Sequence, residues 1–113
     1  PLRGVKEATV RTGGGGAAPI FASASPNPFN PETSISYTVK SDGPVTLKIY
    51  SIDGRLVRTL KQGEATAAGS YEVMWNGADN NGRPVSSGIY FAKTSQNAAG
   101  TEETSVLKLT LMK

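Results

Sequence analysis

The densest run of side-chain oxygens in the chain is Asp79-Asn80-Asn81-Gly82. Carboxylate and amide oxygens around a glycine are the donors that calcium prefers, which makes Asp79 and Asn81 the candidate ligands. The run lacks the further acidic residues of a complete loop such as an EF-hand. It equally describes an Asx-rich turn closed by its own side-chain hydrogen bonds, and that reading needs no ion. Other chemistry is thinly supplied. There is no cysteine, which excludes disulfides and thiolate metal sites. There is no histidine either, which removes the commonest general base and the commonest zinc or copper ligand. Serines and carboxylates exist, but no evident Ser-Lys pairing activates them. Neither an enzyme nor a cofactor is expected.

The net charge of +3 is modest, and the basic residues are scattered. Arg55, Arg58 and Lys61 come nearest to a cluster, and a solvated strand face explains them better than a nucleic-acid site. Tyr37, Tyr50, Tyr71 and Tyr90 could be read as a carbohydrate platform. Their places in alternating runs favour core packing, with Tyr50 the exception. No apolar run reaches the length of a membrane span. The chain begins with Pro1 and not Met, which reads as a processed product or a fragment.

The elements that must position these residues are strands. Residues 20–25 read as a short first strand. Thr33 to Val39 alternates, with Ile35, Tyr37 and Val39 on one face and Ser34, Ser36 and Thr38 on the other. Ser41-Asp42-Gly43-Pro44 is turn chemistry. Val45, Leu47 and Ile49 repeat the pattern. Asp53-Gly54 predicts a tight hairpin of type I′. Arg55 to Leu60 returns as a strand near an edge, with Leu56 and Leu60 on one side. Residues 61–69 read as a loop. Tyr71, Val73 and Trp75 form the next inward face, with Trp75 at the centre of the core. Asn76 to Val85 is a long polar turn, Gly88 to Ser95 a strand covered on both faces, and Gln96 to Glu103 a polar loop. Leu107, Leu109 and Leu111 share one face of the last strand. No window has helical periodicity. About seven strands at this spacing predict an all-β sandwich of one domain, residues 20–113.

Residues 1–19 precede it as an extended arm with a Gly13–Gly16 joint. Val5, Ala8 and Val10 are the arm's apolar side chains between Leu2 and the glycines. Such an arm is disordered unless something holds it, and edge-strand addition by Thr9-Val10-Arg11-Thr12 is the natural way. Pro26-Asn27-Pro28-Phe29-Asn30-Pro31 divides arm and first strand from the rest. Alternating prolines force an extended, irregular path. Phe29, its one large apolar side chain, is expected to plug the end of the sandwich.

Several motifs in order now carry a resemblance. They are Pro26-Asn27-Pro28-Phe29-Asn30-Pro31, Ile35-Ser36-Tyr37, Val45 to Tyr50, Asp53 to Arg58, Gly69-Ser70-Tyr71, Trp75-Asn76-Gly77, Asp79 to Val85 and Ser87-Gly88-Ile89-Tyr90-Phe91. Over residues 20–113 the chain resembles the C-terminal sorting domain of the type IX (Por) secretion system. It is equally similar to the related immunoglobulin-like domain of the flagellar hook-capping protein. The resemblance implies a seven-stranded, antiparallel, immunoglobulin-like sandwich in which Pro26, Asn27, Pro28, Phe29, Trp75, Gly88 and Tyr90 carry the fold motif. It also implies a non-catalytic role in a secreted or cell-surface protein, with the outer-membrane secretion machinery as partner. In that family the last strand carries much of the signal, here Leu107, Lys108, Leu109, Leu111 and Lys113.

Sorting domains follow a large cargo, whereas here only an arm precedes the sandwich. A second reading is therefore a structural subunit of an extracellular filament. It would donate residues 1–19 to a neighbouring copy, with Val5, Ala8 and Val10 at the contact.

Overall fold

The computed structural model describes residues 21–98 and 100–113. The arm, with Val5, Ala8 and Val10, and the glycine joint lie outside the described residues. Seven strands follow in order: β1 (Phe21–Ser25), β2 (Thr33–Val39), β3 (Gly43–Ser51), β4 (Leu56–Thr66), β5 (Gly69–Trp75), β6 (Gly88–Ala98) and β7 (Thr101–Leu111). They form a three-stranded sheet, β1-β2-β5, and a four-stranded sheet, β4-β3-β6-β7. Neighbouring strands within each sheet run antiparallel. This is an immunoglobulin-like β-sandwich, and the described residues contain no helix.

Period-two patterning places the core. Ile35, Tyr37 and Val39 of β2 and Val45, Leu47 and Ile49 of β3 are buried, while their alternating neighbours are half-buried. Leu107, Leu109 and Leu111 of β7 face the same interior. Burying each such side chain contributes roughly 1.5–3 kcal/mol. Trp75 is fully buried between two rings, Phe29 at 5.6 Å and Tyr90 at 5.5 Å between centroids. Its indole N–H donates to the Ala78 carbonyl at 2.9 Å, so the one polar atom of the ring is satisfied. Two tyrosines tie strand starts back to the preceding chain. The Tyr71 hydroxyl donates to Ala67 O and the Tyr90 hydroxyl to Ser86 O, both at 2.6 Å, in the manner of a tyrosine corner.

Four local expectations are corrected. The β3–β4 turn closes with Gly54 N–H on Ser51 O and Ser51 N–H on Arg55 O, so its loop is Ile52-Asp53-Gly54. A two-residue type I′ turn would instead centre on Asp53-Gly54. Gly54 alone supplies the positive φ, at 87°. Second, β4 runs on through 61–66, where a loop was expected. Gly63, at φ 57°, absorbs an irregularity in the pairing and donates its N–H to Thr46 Oγ1. Third, these register shifts change the faces of β4. Val57 and Leu60 pack on the core, while Leu56 is 44% exposed. Fourth, the supposed loop 96–103 is mostly strand. Gln96 pairs with Glu103, Asn97 with Glu102 and Ala98 with Thr101, which narrows the connection to residues 99–100. Polar composition hid this hairpin, because Gln96 and Glu103 point inward and are buried.

Burial raises the Tyr37 hydroxyl above its ordinary pKa of 10.0, against an opposing pull from Lys61. The neutral phenol is the form the fold prefers. Its stabilisation is complete below pH 10.0 and is lost as pH rises through the folded value. A tyrosinate absorbance titration should show a late phase that disappears in Tyr37→Phe. A titration identical in the two proteins would contradict this.

Candidate functional site

The most elaborated region is the second half of β7 and the proline stretch beside it. Among the described residues β7 is an edge strand, hydrogen-bonded within its sheet only to β6. Edges left bare invite pairing with other chains. Here Asn27 stands in for a strand. Its side-chain amide donates from Nδ2 to Lys108 O at 2.9 Å, and its Oδ1 accepts from Thr110 N–H at 3.0 Å. Two residues on, Phe29 N–H donates to Thr110 O and Met112 N–H donates to Phe29 O, each at 2.9 Å. The stretch thus runs parallel to β7 at the Phe29–Leu111 bridge. The Thr33 hydroxyl holds it from β2 by donating to Pro26 O at 2.7 Å. With its backbone tied to β7, Phe29 drops its ring onto Trp75 at 2% exposure. Pro26 and Pro28 stay exposed and hold the path between these anchors. Gly77 closes the site from the other side. Its φ is 76°, and a Cβ there would lie 3.0 Å from Pro31 O. Gly88 opens β6 at φ 154°, next to the Leu111 end of β7.

The family resemblance groups Leu107, Lys108, Leu109, Leu111 and Lys113 as one expected recognition strand. The fold divides them. Leu107, Leu109 and Leu111 are 5%, 0% and 1% exposed. A partner docking on the folded domain cannot touch them. Lys108 and Lys113 are exposed, with Met112 at 56% exposure between the last leucine and Lys113. The Lys113 N–H donates to Ser87 Oγ at 3.0 Å, so even the final residue is tied down. What the end of β7 offers outward is two ammonium groups around one thioether.

Asn27→Ala tests the edge cap. Losing both amide bonds should cost about 1–2 kcal/mol in urea unfolding, because two backbone groups lose their partners. Exchange of the Thr110 amide should quicken. Asn27→Asp, which keeps an acceptor but not the donor, should fall between. No change in either measurement would remove Asn27 from the account.

The Asp79–Arg83 turn uses its oxygens locally. Asp79 Oδ1 accepts from Asn81 N–H at 2.9 Å and Arg83 N–H at 3.0 Å. Asn81 is exposed. The turn also covers the opposite edge of the same sheet. Asn80 donates its N–H to Val57 O and accepts from Thr59 N–H through Oδ1, both at 3.0 Å. Arg58 reaches Asp79 O at 3.2 Å, and Lys61 pairs with Glu64 at 3.0 Å. Each edge of the four-stranded sheet is therefore met by an asparagine, Asn27 through both ends of its side-chain amide and Asn80 through its backbone N–H and side-chain oxygen. Asp-Asn-Asn-Gly was legible as a turn or a calcium candidate and Asn-Pro as an irregular extended path; nothing in their spacing says that they lie across strands distant in sequence. Among the described residues no group of three or more acidic side chains gathers to hold a metal, and no helix is long and apolar enough to cross a membrane.

Comparison with known proteins agrees with this geometry. The model of the FlgD Ig-like domain matches residues 27–100, from the capping asparagine to the β6–β7 turn. No curated protein matches the chain. Among solved structures, FlgD from P. aeruginosa is similar at 25% identity and a TM-score of 0.58, over 70% of this chain and 61% of that one. Latent PorU from Porphyromonas gingivalis is similar at 24% identity and a TM-score of 0.67, over 86% of this chain and 10% of that one. PorZ, a surface component of the type-IX secretion system of the same bacterium, is similar at 19% identity and a TM-score of 0.56, over 81% and 11%. The PorU and PorZ matches show a shared fold. The chain spans about three fifths of the FlgD chain and about a tenth of PorU and PorZ. With the family model covering well over half of its residues, the chain belongs to the FlgD Ig-like domain family.

Proposed function

We propose that the domain is a non-catalytic module for type IX secretion and surface targeting, read by the outer-membrane export machinery. The observation that carries this reading is the placement of the last strand. β7 lies at a sheet edge, locked by Asn27 and Phe29, with its leucines inward and Lys108 and Lys113 outward. A signal read from a folded domain needs such a rigid, exposed feature. Fold likeness to PorU and PorZ supports the same class of setting. The domain then acts outside the cell or at its surface. The open depression bordered by Ser23, Ser36, Tyr71 and Glu72 is lined by hydroxyls and one carboxylate, with no lysine or arginine among them.

The test is a reporter fused in front of residues 20–113 and expressed in a type IX-competent cell. The fusion should appear in the medium or at the surface. Folded fusion retained in the periplasm would overturn the reading.

A further inference from the structure

The outer face of the four-stranded sheet is built by the residues of β3, β6 and β7 that alternate with the core. One row crosses all four strands as Leu56, Tyr50, Phe91 and Lys108, each opposite the next. The row beside it is Thr59, Lys48, Lys93 and Val106. The two rings are half-buried and lie side by side across β3 and β6, while Lys93 and Lys108 are exposed. Leu56 is 44% exposed at one end of the first row. Two more apolar side chains stand out near it. Ile52, two residues beyond Tyr50, is 70% exposed, and Met112, four residues beyond Lys108, is 56% exposed.

The charges on this face have one sign. Lys48 and Lys93 are direct cross-strand partners, which places their Cβ atoms about 5 Å apart. Like charges so placed destabilise a sheet. No carboxylate offsets them, since the ion pair among the described residues joins Lys61 to Glu64. In β3, β6 and β7 the one outward acidic residue is Glu102, opposite Asn97 and about 13 Å along the strand from Lys93. Asp53, in the β3–β4 turn, is engaged by the Ser51 hydroxyl. An uncompensated lysine pair beside exposed apolar side chains calls for a partner that is both anionic and apolar.

We propose that this face lies on an anionic lipid surface, with Lys48, Lys93 and Lys108 at the headgroup phosphates and Ile52, Leu56 and Met112 entering between them. The charge chemistry favours lipid over a protein partner. All three cations on the two rows are lysines, and protein interfaces are depleted in lysine and enriched in arginine. A lysine is a point charge on a long stem. It can lie along the half-buried rings and still reach a phosphate beyond them. The mixture of aliphatic, aromatic and lysine side chains is the one that interfacial binding uses, apolar groups at the acyl boundary and ammonium groups among the headgroups. Phosphates between Lys48 and Lys93 would also turn their repulsion into attraction. This inference stands apart from the export reading, because the lysine pair that carries it lies on β3 and β6 and not on the last strand.

Sedimentation of the full chain with lipid vesicles tests it. The chain should pellet with vesicles that mix phosphatidylglycerol into phosphatidylcholine, stay in solution with phosphatidylcholine alone, and be released by added salt. A lysine near an anionic surface is worth about fivefold in partitioning, so Lys48→Gln with Lys93→Gln should weaken binding about 20-fold. The same pair of changes should not lower the melting temperature, because it removes a repulsion. Ile52→Ser, in the turn, should weaken binding several-fold and leave the salt dependence as it was. Lys108 and Lys113 stay intact in all these variants, so the result is independent of the export test. No pelleting with the anionic vesicles, or equal pelleting with neutral ones, would overturn the proposal. Binding that ignores the Lys48 and Lys93 changes would overturn it too, by moving the contact elsewhere on the chain. Capture by immobilised polyglutamate without any vesicle binding would replace the lipid with an acidic protein.

Discussion

Trp75→Ala should cost about 3–5 kcal/mol, the range for truncating a fully buried large aromatic. The indole joins both sheets to the proline stretch. It sits on β5 in the three-stranded sheet, meets Tyr90 of β6 in the other sheet, and receives Phe29 from the proline stretch. Truncation opens a cavity between the sheets and leaves the Ala78 carbonyl without its donor. For a domain of ordinary stability, about 5–15 kcal/mol, this is a large fraction of the whole. Urea unfolding followed by far-UV circular dichroism measures it. A loss below about 1 kcal/mol would mean that the sandwich does not depend on this ring.

Phe29→Ala should cost about 3–4 kcal/mol by the same mechanism, and it should do something that Trp75→Ala does not. Phe29 is held by backbone bonds to Thr110 and Met112, so its ring is the weight that keeps the cap on β7. Without it the stretch should lift, and the Thr110 and Met112 amides should exchange faster than global unfolding allows. Amides of β3, in the middle of the four-stranded sheet, should follow global stability alone. The double change Phe29→Ala with Trp75→Ala should cost less than the sum of the two, because each creates the same void. Strict additivity would show that the rings do not depend on each other despite their 5.6 Å separation.

How much of this was legible depended on whether one side chain or two strands decided it. Alternation in β2, β3 and β7 revealed the inward faces, because period two is written in each strand alone. Trp75 and Phe29 stood out as large apolar residues in polar surroundings, and they meet. The caps were not legible. Asn27 and Asn80 satisfy strand edges far from them in sequence, and no local pattern encodes that pairing. Leu56 misled because the irregular pairing of β4 turns it outward, in favour of Val57 and Leu60. Gln96 and Glu103 misled in the opposite sense. Their polarity read as a loop, yet they extend a hairpin inward. Leu107, Lys108, Leu109, Leu111 and Lys113 were grouped as one expected recognition strand, and period two already set its leucines on one face. The structure divides it into three anchors and two exposed lysines.

That division yields the most direct measurement. A reporter fused to residues 20–113 is compared with the same fusion carrying Lys108→Glu and Lys113→Glu, each scored for the fraction exported and for its melting temperature. Exposed charges carry little stability, so the melt should shift by no more than a few degrees. On the proposed export reading, export should fall several-fold, because the reversed charges lie on the outward face and not in the core. Equal export at equal stability would contradict the claim that the outward face of the last strand is what the machinery reads.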